Sequence, residues 1–110
     1  MTGRRSAEIT ALLLKAKRVL EECGWQQGGD FVDDAGRLSL DGALNFAVTG
    51  RAATPSVGSG VIEGALLDVL ISRDYDGVVA DWNDEPDRRV SEVYALLDES
   101  IERIAAKGGA

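Results

Sequence analysis

Acidic side chains are concentrated in two turn-rich stretches of this 110-residue chain, and carboxylates are the groups here that could bind a cation or move a proton. The first stretch holds Asp30, Asp33 and Asp34, and the second holds Asp81, Asp84, Glu85 and Asp87. Neither has the alternating Asp/Asn spacing and the distant Glu of a calcium loop. Asp and Asn also form Asx turns and cap helices. We therefore expect solvated loop charges, no metal and no cofactor.

The residue types of common catalytic sites are scarce. The chain has no histidine and one cysteine, Cys23, which excludes the usual zinc sites, Ser-His or Cys-His pairs and an intrachain disulfide. Cys23 falls on the apolar stripe of a predicted helix, so we expect a small core residue. Gly58-Ser59-Gly60 lacks the Lys and Thr of a phosphate loop. General acid/base catalysis by two carboxylates stays open, because folding can raise one pKa.

The stretch Trp82-Asn83-Asp84-Glu85-Pro86 joins a large aromatic side chain to turn-forming residues, just before a predicted helix. Trp82 is expected to anchor this loop to the core, since indole has a large apolar area to bury. Trp and Arg also dominate binding hot spots, so a recognition role stays open beside the structural one. In that case Arg88 and the acidic tip of the loop face outward. The candidate recognition surface consists of Trp25, Gln26, Trp82, Asn83, Asp84 and Arg88.

The formal net charge is −7 at pH 7, which opposes direct binding to nucleic acid or to anionic membranes. No apolar run reaches the length of a membrane span and no signal peptide opens the chain, so we expect a cytoplasmic location. We interpret the chain as a small acidic, noncatalytic protein–protein interaction or regulatory module that binds a host or cellular protein. A homodimer is left open. Two alternatives remain: an acidic decoy of a nucleic-acid-binding protein, and a small carboxylate-dependent hydrolase or ligand-binding domain.

Apolar residues at helical spacing predict four main helices. The first covers 7–23 with Ser6 as its cap; the second covers 40–49, capped by Ser39 or Asp41 and ended by Gly50. Thr54-Pro55 or Ser59 starts the third helix, which ends near 73, and the last begins within 87–90 and ends near 106. Residues 78–82 are left open between helix and extended chain, and 31–38 form a loop that could contain a hairpin. The expected fold is an all-α bundle of about four helices, a single domain over 1–110 that is ordered from about 6 to 106.

A short internal echo links the second and third helices. Leu40-Asp41-Gly42-Ala43-Leu44 is answered by Ile62-Glu63-Gly64-Ala65-Leu66, with an acidic residue before Gly-Ala in both. Glycine inside a helix costs about 1 kcal/mol relative to alanine, so its presence at both positions suggests a close approach of backbones. We expect Gly42 and Gly64 to lie where helices touch.

Four segments occur in a characteristic order: Gly24-Trp25-Gln26-Gln27-Gly28, Gly42-Ala43-Leu44, the Trp82-Asn83-Asp84-Glu85-Pro86 stretch, and Glu92-Val93-Tyr94-Ala95-Leu96-Leu97-Asp98. Together they resemble an uncharacterised family of small actinobacterial and actinophage proteins, over Ala7 to about Ile104. Members often have Cys or Trp where this chain has Ser39-Leu40-Asp41, and Thr where it has Arg89. The second departure weakens a Thr-x-x-Glu capping box toward Glu92. The resemblance implies a helical fold and such an origin, and no activity.

Overall fold

The protein is an all-α bundle, as the apolar periodicity predicts. The computed structural model describes residues 2–108, with side chains for residues 5–107. Its helices are α1 (Thr2–Cys23), α2 (Leu40–Thr49), α3 (Val57–Ser72), α4 (Val79–Asn83) and α5 (Val90–Gly108). The segment that the sequence left undecided is thus helical, as the single-turn helix α4.

Local capping explains where α2 and α3 begin. The Ser39 hydroxyl accepts a hydrogen bond from the Gly42 N–H, and Gly50 ends α2 in the left-handed region with φ of 80°. α3 is capped by Ser56, which exchanges hydrogen bonds with Ser59 in a capping box. The predicted caps of α3, Thr54-Pro55 or Ser59, were therefore close but wrong. Ser59 is the third residue of the helix and partners the cap.

The two ends of the bundle differ from expectation. α1 begins at Thr2, so Ser6 lies inside the helix and does not cap it. Cys23 is exposed rather than part of the core, because it ends α1 just before the chain turns away at Gly24, whose φ is 91°. α5 continues to Gly108, so the expectation that order ends near 106 and that Gly108 is disordered is wrong; Gly109, for which disorder was also expected, lies outside the described residues.

Arg89 does not abolish the capping of α5. The Glu92 carboxylate accepts a hydrogen bond of 2.8 Å from the Arg89 N–H, which is the half of the capping box that needs no side chain at the cap position. This N–H, with help from the Arg88 guanidinium, holds the pKa of Glu92 below its ordinary value. With Arg rather than Ser or Thr at this position, only the Glu92 half of a capping box can form.

One hydrophobic core joins all five helices, and α1 lies at its centre, packed mainly on α5 and α2. Each fully buried Leu or Ile stabilises the fold by about 1.5–3 kcal/mol relative to an exposed one. Among the residues that the structure describes, no helix combines the length and apolar character that crossing a membrane requires. The largest side chains of the core without solvent exposure are Leu13, Leu20, Leu40, Ile62, Leu66, Leu96 and Leu97.

The loop between α1 and α2 folds back on itself without forming a hairpin of strands. Leu38 makes isolated bridges, parallel with Trp25 and antiparallel with Val32. Its backbone accepts from the Gln26 N–H at 2.9 Å and donates to the Gly24 carbonyl at 2.8 Å. The Gly24–Gly29 turn is thereby fixed beside the start of α2, where it can meet α4.

The prediction that Gly42 and Gly64 both lie at close contacts is correct for Gly42 only. A Cβ on Gly42 would lie 2.1 Å from the Phe31 carbonyl oxygen, so the backbone does approach closely, but the neighbour is the folded-back loop and not a helix. A Cβ on Gly64 would have no other atom within 4 Å, and the expectation of a crossing there is wrong. The glycine that brings α3 close to α2 is Gly58, whose Cβ would meet the Val48 side chain at 2.8 Å.

These contacts predict opposite effects for one substitution at the two echo positions. Gly42→Ala should destabilise the protein by about 3 kcal/mol or more, because the Phe31 carbonyl is backbone and cannot move aside without shifting the loop. Gly64→Ala should stabilise it by up to about 1 kcal/mol through helix propensity alone. Urea unfolding followed by circular dichroism measures both. Equal effects at the two sites would contradict this assignment.

Candidate functional site

The side-chain amide of Asn83, at the end of α4, joins three parts of the chain. Its Oδ1 accepts hydrogen bonds from the Trp25 indole Nε1 at 2.6 Å and from the Leu40 N–H at 3.1 Å. Its Nδ2 donates to the Asp84 carboxylate at 2.9 Å and to the Gln26 carbonyl at 3.3 Å. Asn83 is 1 % exposed, and all four bonding positions of its amide are used. The Leu40 N–H is one of the donors that α2 cannot satisfy within itself.

Further hydrogen bonds connect the Gly24–Gly29 turn to the end of α4. The Gln27 amide donates to the carbonyls of Asn83 and Glu85, at 2.8 and 2.7 Å. The Gly28 N–H donates to the Asp84 carboxylate at 3.1 Å. The carbonyls at a helix end have no partner within the helix, and here a neighbouring turn supplies one. The Gly-Trp turn and the Trp-Asn-Asp stretch therefore form one polar junction.

Arg88 covers the outer side of this junction. Its Cζ lies 3.9 Å from the centroid of the Trp82 ring, a cation–π contact, and its Nε donates to the Trp82 carbonyl at 2.9 Å. The guanidinium also pairs with Glu92, at 3.1 Å, and with Glu85. The Arg88 side chain is only 14 % exposed, so the expectation that it faces outward for recognition is wrong. Three of its five N–H donors bond a carbonyl and two carboxylates of its own chain.

The six predicted recognition residues are brought together, but around an internal junction. Gln26, Trp82 and Asn83 are buried and offer no surface for a partner in this conformation. The other three, Trp25, Asp84 and Arg88, are half-buried, and each has a hydrogen bond to the junction. The predicted anchoring role of Trp82 agrees with its burial. Whether the exposed rim of the group binds anything stays a prediction.

Two of the loop carboxylates have local structural roles. Asp33 closes an Asx turn by accepting from the N–H groups of Ala35 and Arg37, at 3.0 and 2.8 Å, and it pairs with the Arg37 side chain at 2.8 Å. The Asp84 carboxylate accepts hydrogen bonds from the Gly28 N–H and from the Asn83 side-chain amide. Over the part of the chain that the structure describes, no group of three or more Asp, Glu, Cys or His side chains is placed to hold a metal ion.

Periodicity and motifs did not reveal a carboxyl pair formed by Asp41 of α2 and Glu63 of α3. The two carboxyl groups are in contact, and both residues line the same cleft. Burial, followed by the contact with Glu63 and the nearby charge of Asp84, raises the pKa of Asp41 to about 7. The signal was present in the echo, since Asp41 and Glu63 are its acidic positions. What periodicity could not give was the face on which the two helices meet.

This pair lines a small cleft of about 170 Å³ between α2 and α3. Its serines, Ser56 and Ser59, belong to the capping box: each hydroxyl accepts from the other residue's backbone N–H, and the Ser59 hydroxyl also donates to the Ser56 carbonyl. The buried amide of Asn45 lies at the cleft as well. Proton exchange and binding of a small polar group are the chemistry that this arrangement can support.

A separate, larger groove of about 520 Å³ lies between α1 and α3. Aliphatic side chains form most of its lining, and Val57, in the first turn of α3, is 87 % exposed. Sequence patterning missed this groove because its residues continue the apolar stripes that fill the core. The lining comprises Arg5, Glu8, Ile9 and Leu12 of α1, and Val57, Gly58, Val61 and Ile62 of α3.

The protein is thus a small helical domain in which the Gly-Trp turn is bonded to the Trp-Asn-Asp stretch. The chain belongs to the family of unknown function DUF6197, whose model matches residues 4–103. This confirms the resemblance to an uncharacterised family. Neither a curated protein nor a solved structure matches the chain.

Asn83→Asp tests the junction, because it keeps the shape and the acceptor but replaces the donor with a second carboxylate beside Asp84. We expect a loss of about 3 kcal/mol in the free energy of unfolding, since a buried charge then faces a carbonyl and a like charge. Asp84→Asn is the matched control, because its amide oxygen can still accept from Gly28 and Asn83. Denaturant unfolding at neutral pH compares them. A loss for the control as large as that for Asn83→Asp would contradict the role of the Asn83 amide.

Asp41→Asn should stabilise the protein, and more so at higher pH. The folded chain keeps the Asp41 proton up to about pH 7, whereas the unfolded chain releases it near the ordinary value of about 3.9, so this carboxyl weakens the fold as pH rises between those values. After allowance for solvent screening, we expect a gain of about 1–2 kcal/mol at about pH 8 and almost none at about pH 4. Asp68→Asn, an equal charge change on the exposed side of α3, is the control. A gain that does not depend on pH would contradict the raised pKa of Asp41.

Proposed function

We propose that this protein is a small, noncatalytic interaction module that regulates another protein by binding one of its amphipathic helices in the groove between α1 and α3. The observation that carries the proposal is the aliphatic lining of that groove, in which Val57 is exposed and Ile9, Leu12 and Val61 are half-buried. The resemblance to actinobacterial and actinophage proteins supports a phage-borne or accessory regulator acting on a host protein.

The groove has the shape that suits a helix. Two helices packed side by side leave a channel between their side chains, and an amphipathic helix can lay its apolar face into such a channel. A volume of about 520 Å³ is within the range of binding clefts. Val57 is 87 % exposed, and covering it with a partner helix would stabilise the complex by about 25 cal/mol for each Å² of apolar area buried.

Charge supports a basic partner over a second copy of the chain. The formal net charge of −7 attracts a positively charged protein and accelerates its association. Two copies would each carry that charge and repel one another. We therefore commit to a partner helix with an apolar face and flanking Lys or Arg side chains. The acidic decoy, which would bind the nucleic-acid site of such a partner, differs in using surface charge without the groove.

A second candidate function, carboxylate-dependent hydrolysis, is favoured by one observation, the carboxyl pair in the α2–α3 cleft. A carboxyl with a pKa near 7 suits a general acid or base. Both serine hydroxyls of the cleft already take part in capping, however, and this removes the nucleophiles nearest to the pair. Binding is the better account of the cleft.

The groove proposal is tested with Val57→Lys, which puts a charge into the aliphatic lining and repels a basic helix. The probe is a Leu/Lys amphipathic peptide of about five helical turns, with a scrambled peptide of equal charge beside it. We expect the affinity of Val57→Lys for the amphipathic peptide to fall by at least about tenfold, measured by calorimetry. The scrambled peptide should bind more weakly than the amphipathic one.

Ile71→Lys is the matched control, because it makes the same change at another exposed aliphatic residue of α3, one that does not line the groove. It should leave affinity nearly unchanged. Equal losses for both variants, or equal binding of the scrambled peptide, would point to surface charge alone and support the decoy. Sedimentation that shows a dimer lost only in Val57→Lys would assign the groove to a second copy instead.

A further inference from the structure

We propose that the cleft between α2 and α3 binds one small organic cation, an alkylammonium or guanidinium group on a short apolar stem. The cleft lies on the face of α3 opposite to the groove, because the residues lining the two differ by about half a helical turn. The inference therefore does not depend on the groove proposal.

The polar groups that the cleft offers to a ligand are acceptors. Asp41 and Glu63 contribute neighbouring carboxyl groups, and a cation can take the place of the proton that Asp41 otherwise keeps up to about pH 7. The serine N–H groups at the start of α3 are already bonded to the capping box. An ammonium or guanidinium group has only donors, so it matches this set.

Asn45 gives independent evidence that the cleft is built for a ligand. The residue is 4 % exposed, and its Nδ2 donates to the Ala52 carbonyl at 2.9 Å, which fixes the orientation of the amide. Its Oδ1 has no hydrogen-bond partner among the described residues. No buried side-chain atom in that part of the chain lacks a partner, so this oxygen must reach open space, and the cleft is the space that Asn45 lines.

The volume and the lining residues of the cleft restrict the class of ligand further. About 170 Å³ corresponds to roughly six water molecules, below the range of clefts for drug-sized ligands. Phe31, Leu44 and Pro55 give the cleft apolar walls, along which a carbon stem can lie while its charged end meets the carboxyl groups. A lysine or arginine side chain of a protein and a free small amine share this chemistry.

Binding must be linked to the proton on the pair. The charged groups acting on Asp41 from the packed elements are Glu63 of α3 and Asp84 after α4, and both are acidic. A cation that binds here displaces the Asp41 proton. As the pH is raised towards about 7, the affinity for the cation should therefore increase by up to about tenfold per pH unit, and above about pH 7 it should stay constant.

The test is an NMR titration of the ¹⁵N-labelled protein with n-butylamine and with the N-acetyl methylamides of lysine and arginine. The neutral probe n-butanol, with the same stem, is the reference. We expect the cationic probes to shift the amide signals of residues 41–45 and 56–63, and n-butanol to shift them little. Tighter binding of the blocked amino acids than of n-butylamine would identify a protein side chain as the source, and the reverse order a free amine. Both orders support a cation site.

Glu63→Gln keeps a hydrogen bond to Asp41 but removes the charge, and it should weaken cation binding by about tenfold or more. Asp68→Asn removes an equal charge from an exposed position outside the cleft and should change affinity by less than about twofold. Equal losses for both variants, equal binding of n-butanol, or shifts spread over the whole acidic surface would overturn the proposal. If Glu63→Gln does not fold, the pH profile of the unaltered protein decides, since affinity that does not change below about pH 7 also overturns it.

Discussion

The arrangement of this protein depends on one buried amide, that of Asn83. It holds the Gly-Trp turn through the Trp25 indole, starts α2 through the Leu40 N–H, and ends α4 beside Asp84. A buried polar group that loses its partners costs about 1–3 kcal/mol, and here several partners depend on the same side chain. The Asn83 amide therefore fixes α2, α4 and the loop that follows α1 together rather than one by one.

This constraint separates the recognisable motif from the surfaces available for binding. The Gly-Trp and Trp-Asn-Asp segments, which carry the resemblance to the family, form the junction, and Arg88 closes it by stacking on Trp82. Trp and Arg are frequent in binding hot spots because Trp has a large apolar area and Arg has many N–H donors. The same properties allow them to stabilise contacts inside a protein. The groove and the cleft that we propose as binding sites lie instead on opposite sides of the first turns of α3.

The echo between α2 and α3 shows how equal sequence acquires unequal roles. Gly42 faces the Phe31 carbonyl, whereas Gly64 faces open space, because only α2 is covered by the folded-back loop. The acidic residues before the two glycines do meet, and the raised pKa of Asp41 follows from its burial beside a second carboxyl group. The residues that pack around each position, rather than the local sequence, decide which position of the echo is crowded, which is open and which has a raised pKa.

The sequence by itself determined the four long helices and most of their ends, since periodicity, Ser39 and Gly50 act through bonds within a few residues. It also determined that Trp82 would be an anchor, because so large an apolar surface favours burial wherever it lies. Only the tertiary structure decided that Arg88 turns inward, that Cys23 is exposed and that Asp41 meets Glu63. Those outcomes depend on groups far apart in the chain, whose distances arise from the packing of whole helices and leave no periodic trace in the sequence.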